Sequence, residues 1–112
     1  MGSVKIFLDD TREPPSELFS CVSTYEECIV LLDIFANNIE LIDLDYNLGR
    51  DSTFSGLDVL VYMKEHGIQP PHINIHSSHE RGEPKMVEYA EKYFPNSIVT
   101  DNKIRASFRK EN

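Results

Sequence analysis

The chain has no tryptophan, two cysteines and five glycines among its 112 residues, and bases are the minority of its charges. Each shortage narrows the field. Cys21 and Cys28 lack C-x-x-C spacing and follow no secretory leader, so they read as reduced core residues of a cytoplasmic protein. No apolar run approaches membrane-spanning length, and the opening "MGSVKI" departs from a myristoylation start at Ile6. Eleven Lys and Arg face nineteen Asp and Glu, a formal charge of −8. That balance argues against bulk nucleic-acid binding through the surface. The exception is the tail "DNKIRASFRKEN", where Lys103, Arg105, Arg109 and Lys110 collect. What is present, 40% apolar residues with five tyrosines and six phenylalanines, suits one folded domain. The expected organisation is a domain over residues 1–100 and a basic tail over 101–112.

Val4 to Leu8 is a short, nearly continuous apolar run of the kind a strand buried on both faces requires. Pro14 and Pro15 then forbid a regular helix through "TREPPSE", and "FSCVS" is a short β-prone stretch. Thr24 and Glu27 fit a capping box before a stripe of Tyr25, Cys28, Ile29, Leu32 and Phe35. "IELIDLDYNLG" is a second buried strand ending in acids. A helix is expected from about Gly56 to His66 with Leu57, Leu60 and Val61 inward and Gly67 as its stop. "HINIHSS" is a strand, and a helix near Pro84 carries Met86, Val87, Ala90, Tyr93 and Phe94 on one face. "PNSIVT" supplies the last strand. Alternating strands and helices predict a parallel sheet covered by helices, an α/β fold.

In such sheets ligands bind at the carboxyl ends of the strands. Asp9 and Asp10, Asp43 and Asp45, and His76 and Ser77 all fall there. Carboxylates converging from adjacent strand ends suit Mg²⁺ or Mn²⁺, hard ions that take oxygen ligands and keep waters for a phosphate to displace. Adjacent acids become tolerable when a divalent cation supplies the missing charge. Asp43 faces the same side as Asp45 but deeper, where a structural hydrogen bond is as good a reading as chemistry. His76 ends a buried strand beside these acids, where it either shuttles a proton or rests as a satisfied core histidine. Arg12 and Arg81 reach toward the pocket mouth as candidate phosphate contacts. Asn74 lies within the strand and is expected to make a structural bond. His72, His76 and His79 match no strong zinc spacing.

"FLDD" after the first strand, "LDYNLG…SGLDVL" around the third and "INIHSS" at the fourth resemble a response-regulator receiver domain. The resemblance implies a flavodoxin-like three-layer sandwich on a mainly parallel five-stranded sheet, with the first helix shortened or lost to the Pro14–Pro15 turn. It also implies Asp9 and Asp10 as the acidic pair, Asp45 as phosphoacceptor and Ser77 as the hydroxyl residue. More narrowly, "KIFLDDTREPP", "LDYNLG" and "INIHSS", with Gly82 and Met86, resemble the stand-alone cyclic-phosphate-processing receiver domains. Their usual pattern is L-D-D-x-R-x-P-P, then L-D-H-D-L-G, then I-N-I-H-S. The likeness covers most of residues 4–90.

The chain departs from that pattern at Tyr46 and Asn47, where His and Asp are usual, and at His79 and Glu80, where Asn and Pro are common. Only Lys103 or Arg105 stands near the place of a receiver's phosphate-sensing Lys, with no proline following. Two mechanisms share the implied pocket. In one, Asp45 attacks a phosphodonor and Ser77 contacts the transferred group. In the other, a metal-dependent phosphoesterase acts on a cyclic phosphate, with Asp45, His76 and Ser77 catalytic and Arg12, Ser77, Ser78 and Arg81 on the phosphate. The metal ligands are then Asp9, Asp10 and Asp45. A third reading is a nucleotide-sequestering module that binds without turnover. The expected partner is a phosphorylated small molecule or nucleotide, with no membrane.

Overall fold

The computed structural model describes residues 3–77 and 79–101. Five strands, β1 (Val4–Leu8), β2 (Phe19–Val22), β3 (Ile39–Leu44), β4 (His72–Ile75) and β5 (Ile98–Asp101), form one sheet in the order β2-β1-β3-β4-β5. Every pairing is parallel. Three helices, α1 (Tyr25–Phe35), α2 (Gly56–Glu65) and α3 (Gly82–Tyr93), link the strands from β2 onward. This is the receiver-like α/β fold expected, and its strand order is the flavodoxin-like one.

Each link runs from one strand to a parallel strand further right, and right-handed crossovers then place all three helices on the same side. Alternation along the strands sorts the side chains accordingly. Ile6, Leu8, Ile42, Leu44, Ile73 and Ile75 meet Cys28, Leu32, Val59, Leu60, Met63, Met86, Ala90 and Phe94 in one core. The opposite face carries a smaller cluster of Phe7, Phe19 and Leu41. Among the described residues no helix covers that face, so they form two layers where a three-layer sandwich was expected. The β1–β2 link, which would supply such a helix, is a run of turns around Pro14 and Pro15. The basic tail, with Lys103, Arg105, Arg109 and Lys110, lies outside the described residues.

Local signals explain the helix ends. Thr24 Oγ1 accepts the Glu27 amide at 3.1 Å, while Glu27 returns its carboxylate to the Ser23 amide at 2.9 Å, one residue earlier than a standard capping box. Gly67 ends α2 with φ +67°, as its position predicted. Three expectations change in detail. The inward stripe of α2 is Val59, Leu60 and Met63, with Leu57 and Val61 only half-buried. α3 begins at Gly82, so Pro84 stands inside its first turn, where no amide is required of it. Cys21 is exposed rather than core, because it faces the side without a helix; Cys28 is buried, and burial pushes its thiol up to about 12. No described helix is long and apolar enough to cross a membrane.

Candidate functional site

Strand order reverses between β1 and β3, because β1 connects leftward to β2 while every later link runs rightward. The crevice beyond their carboxyl ends is where such a sheet binds ligands. The backbone ladder continues one residue past each strand there. Asp9 N donates to Val22 O at 3.1 Å, Asp45 N to Leu8 O at 3.1 Å and His76 N to Leu44 O at 2.9 Å. Three candidate site side chains are thus seated on hydrogen-bonded backbone.

Asp9 is 5% exposed and almost fully committed. Its Oδ1 accepts the amides of Thr11 and Arg12, both at 2.8 Å, and its Oδ2 faces His76 Nε2 at 2.8 Å. Burial pushes this carboxyl up, but the Arg12 and Thr11 amides and the His76 ring outweigh burial and hold it below its ordinary value. The turn that begins at Thr11 points Asp9 inward and leaves Asp10 exposed. Asp45 behaves oppositely. Burial and the neighbouring Asp9 charge raise its carboxyl, and His76, Arg12 and the Asn47 amide offset this only in part.

His76 is 0% exposed and stacks on Phe7, ring centroids 4.6 Å apart and planes within 4°. Its Nε2 meets Asp9, and its Nδ1 makes a very short contact with Asp43 Oδ1. Asp43 Oδ1 also accepts Asn74 Nδ2 at 3.0 Å, and Asn74 Oδ1 accepts Thr100 Oγ1 at 2.7 Å. Thr100 has then spent its hydrogen, so His72 Nε2, 2.8 Å away, is the donor to it. A directed chain, His72 to Thr100 to Asn74 to Asp43, runs along the face opposite the helices and ends against His76. Asp43 Oδ2 is buried without a described partner. The expected structural bond of Asn74 is therefore present, and Asp43 is a tether for His76. Thr100 and His72 were not legible as members. The even spacing of 72, 74 and 76 puts those side chains on one face, but nothing local reveals that Thr100 lies opposite Asn74.

In front of this assembly is a cleft of about 370 Å³. Asp10, Thr11 and Arg12 line it from the β1 side, Asp45 and Asn47 from β3, and Ser77 and His79 from β4. Ser77 is 5% exposed, and its Oγ accepts the His79 amide at 3.1 Å. Arg81 is exposed at the start of α3 and does not line the cleft. Ser78 lies outside the described residues. The three histidines are not gathered: His72 bonds Thr100, His76 is enclosed by carboxylates and His79 borders the cleft.

Asp9, Asp45 and His76 each bring a ligand-type atom within 4.8 Å of the others. His76 suits a cation least, since both its nitrogens already face carboxylate oxygens. Asp9 and Asp45 bring two buried carboxyl groups to one point beside His76, where a divalent cation would balance their negative charge. Burial and the Asp9 charge, which together raise the Asp45 carboxyl, mark the cost that such an ion would relieve. The donor set therefore fits a hard divalent ion on the carboxylates.

Two glycines let this region close. A Cβ on Gly56 would sit 2.0 Å from the Asp45 carbonyl oxygen, and one on Gly82 2.3–2.5 Å from the Tyr46 ring. Tyr46, at the first position that departs from the expected pattern, is wedged against the start of α3, and Asn47 turns its Oδ1 to the Gly49 amide at 3.1 Å.

An all-parallel sheet with acids and a histidine at its switch point defines a receiver-type domain. The family model of the cyclic-phosphate processing receiver domain matches residues 4–92, and the chain belongs to that family. No curated protein and no solved structure matches the chain.

Proposed function

We propose that the cleft binds a divalent cation, Mg²⁺ or Mn²⁺, together with the phosphoryl group of a small ligand, a cyclic nucleotide phosphate being the favoured class. The observation that carries this reading is the convergence of Asp10, Arg12, Asp45 and Ser77 on one cleft, with Asp9 fixed behind them. Asp9, Asp10 and Asp45 would hold the cation, whose charge would face the phosphoryl oxygens. Arg12 brings a permanently charged planar donor to the same cleft. The Ser77 hydroxyl, already accepting from His79, has a proton to donate to a ligand oxygen.

His76 is best read as a positioning residue. It touches Asp9 and Asp43 and not the cleft, so it acts on the site by fixing the Asp9 carboxylate. Its burial argues against a direct exchange of protons with a ligand. The phosphoacceptor reading retains one specific support: Asp45 ends the central strand and borders the cleft beside Ser77.

Phosphorus-31 NMR with Mg²⁺ and a panel of 2′,3′- and 3′,5′-cyclic nucleotides tests the proposal. Binding broadens or shifts a cyclic phosphate resonance. Turnover replaces it, and EDTA or Asp45→Asn abolishes the change. An acyl phosphate formed from a small phosphodonor and lost in Asp45→Asn would favour the signalling reading instead. A panel left untouched with Mg²⁺ and Mn²⁺ alike sinks the cyclic-phosphate assignment.

A further inference from the structure

Among the described residues, His79 is the histidine that borders the cleft. Its ring is held in one orientation and one tautomer. Nδ1 accepts the Gly82 amide at 2.8 Å and the Arg81 amide at 3.3 Å, which caps the start of α3 in place of the Arg81 side chain. A nitrogen that accepts from two amides carries no proton, so in the neutral ring the proton sits on Nε2. The backbone is pinned as well. His79 N donates to Ser77 Oγ at 3.1 Å, and His79 O accepts the Glu83 amide at 3.1 Å. The ring leans on Tyr46, centroids 4.7 Å apart, and Tyr46 is itself wedged against Gly82. Among the described residues these contacts leave one group without a partner, the Nε2–H, on a residue that shares the cleft with Arg12 and Ser77.

We propose that His79 is a phosphate-contacting residue, its Nε2–H donating a hydrogen bond to an oxygen of the phosphoryl group held in the cleft. The inference rests on the cleft being a phosphoryl site. It divides the labour between the two histidines of this loop: His76 faces inward and orders the carboxylates, while His79 faces the ligand. It also gives Tyr46 a task, as the platform that sets the His79 ring.

His79→Asn separates the donor from the cap. An Asn carbonyl oxygen is a strong acceptor for the amides of a helix start, but its short side chain lacks the outward imidazole N–H. Titration calorimetry with Mg²⁺ and 2′,3′-cyclic AMP should show affinity falling about tenfold or more in His79→Asn, as expected for a hydrogen bond to a charged group. Melting temperature should stay unchanged. In ¹⁵N-histidine-labelled wild type, the His79 Nε2–H signal should be present and should shift on ligand addition. Equal affinity of wild type and His79→Asn, or an unmoved Nε2–H signal during binding, overturns this role and leaves the phosphoryl site standing. A wild type that binds neither 2′,3′-cyclic AMP nor inorganic phosphate overturns both.

Discussion

The two faces of the sheet are built from the same strands and do opposite work. In β3, Leu44 enters the core beneath the helices, while its neighbour Asp43 turns to the other face and tethers His76. In β4, Ile73 and Ile75 lie on the first face and Asn74 on the second, joined there by His76 just past the strand. The helix face holds its shape by non-directional apolar burial, which tolerates small shifts. The face opposite the helices holds a buried chain of directed hydrogen bonds, in which each donor has one place to go. The difference teaches that stability and site geometry are separable in this molecule residue by residue.

The sharpest way to break that separation is at adjacent positions of β3. Leu44→Ala should cost about 2–5 kcal/mol through lost burial and a residual cavity. Its cation affinity, measured on the folded fraction, should stay close to wild type. Asp43→Asn should cost less, about 1–3 kcal/mol, since it places an amide donor where Asp43 Oδ2 has no described partner. Yet it should weaken Mn²⁺ binding, because a neutral amide oxygen holds the His76 ring against Asp9 less firmly than a carboxylate does. Calorimetric Mn²⁺ titrations alongside urea denaturation read both quantities. Equal losses of affinity in the two variants would end the distinction.

A smaller effect, opposite in sign, is expected at Asp45. Burial and the Asp9 charge raise its folded carboxyl above the unfolded value. The stability tied to this group is therefore full below the unfolded value and is lost as pH rises through the folded one. Without metal, Asp45→Asn should be more stable than wild type at about pH 7, and the gap should close toward about pH 4. Added Mg²⁺ should stabilise wild type and leave Asp45→Asn unmoved. Thermal melts in EDTA and in Mg²⁺ at both pH values check this; parallel curves would remove Asp45 from the cation site. Asp9 runs the other way, its lowered carboxyl giving stability above the unfolded value that is lost in acid.

Much of the fold was legible because its signals are local. Apolar runs at Val4–Leu8 and Ile39–Leu44, the Thr24 cap and the Gly67 stop each act within a few residues. The polar strand ends were legible for the same reason. Their division of labour was not. Asp9 and Asp10 are adjacent letters, and only the turn at Thr11 decides which one is buried. The bond between His76 and Asp9 spans 67 residues, and the one between Thr100 and Asn74 spans 26. Such contacts depend on strand register, which one-dimensional spacing does not contain. The Tyr46–Gly82 contact is likewise invisible until α3 is placed.

That last contact has a consequence for how the sequence can drift. Because a methyl at position 82 would occupy the space of the Tyr46 ring, the two positions are locked as a pair. Gly82→Ala alone should cost about 1–3 kcal/mol by overpacking. Combined with a smaller residue at 46, part of that loss should return, a coupling that a double-mutant cycle would measure directly. Descendants of this chain can therefore give up the glycine readily only once the aromatic platform has gone.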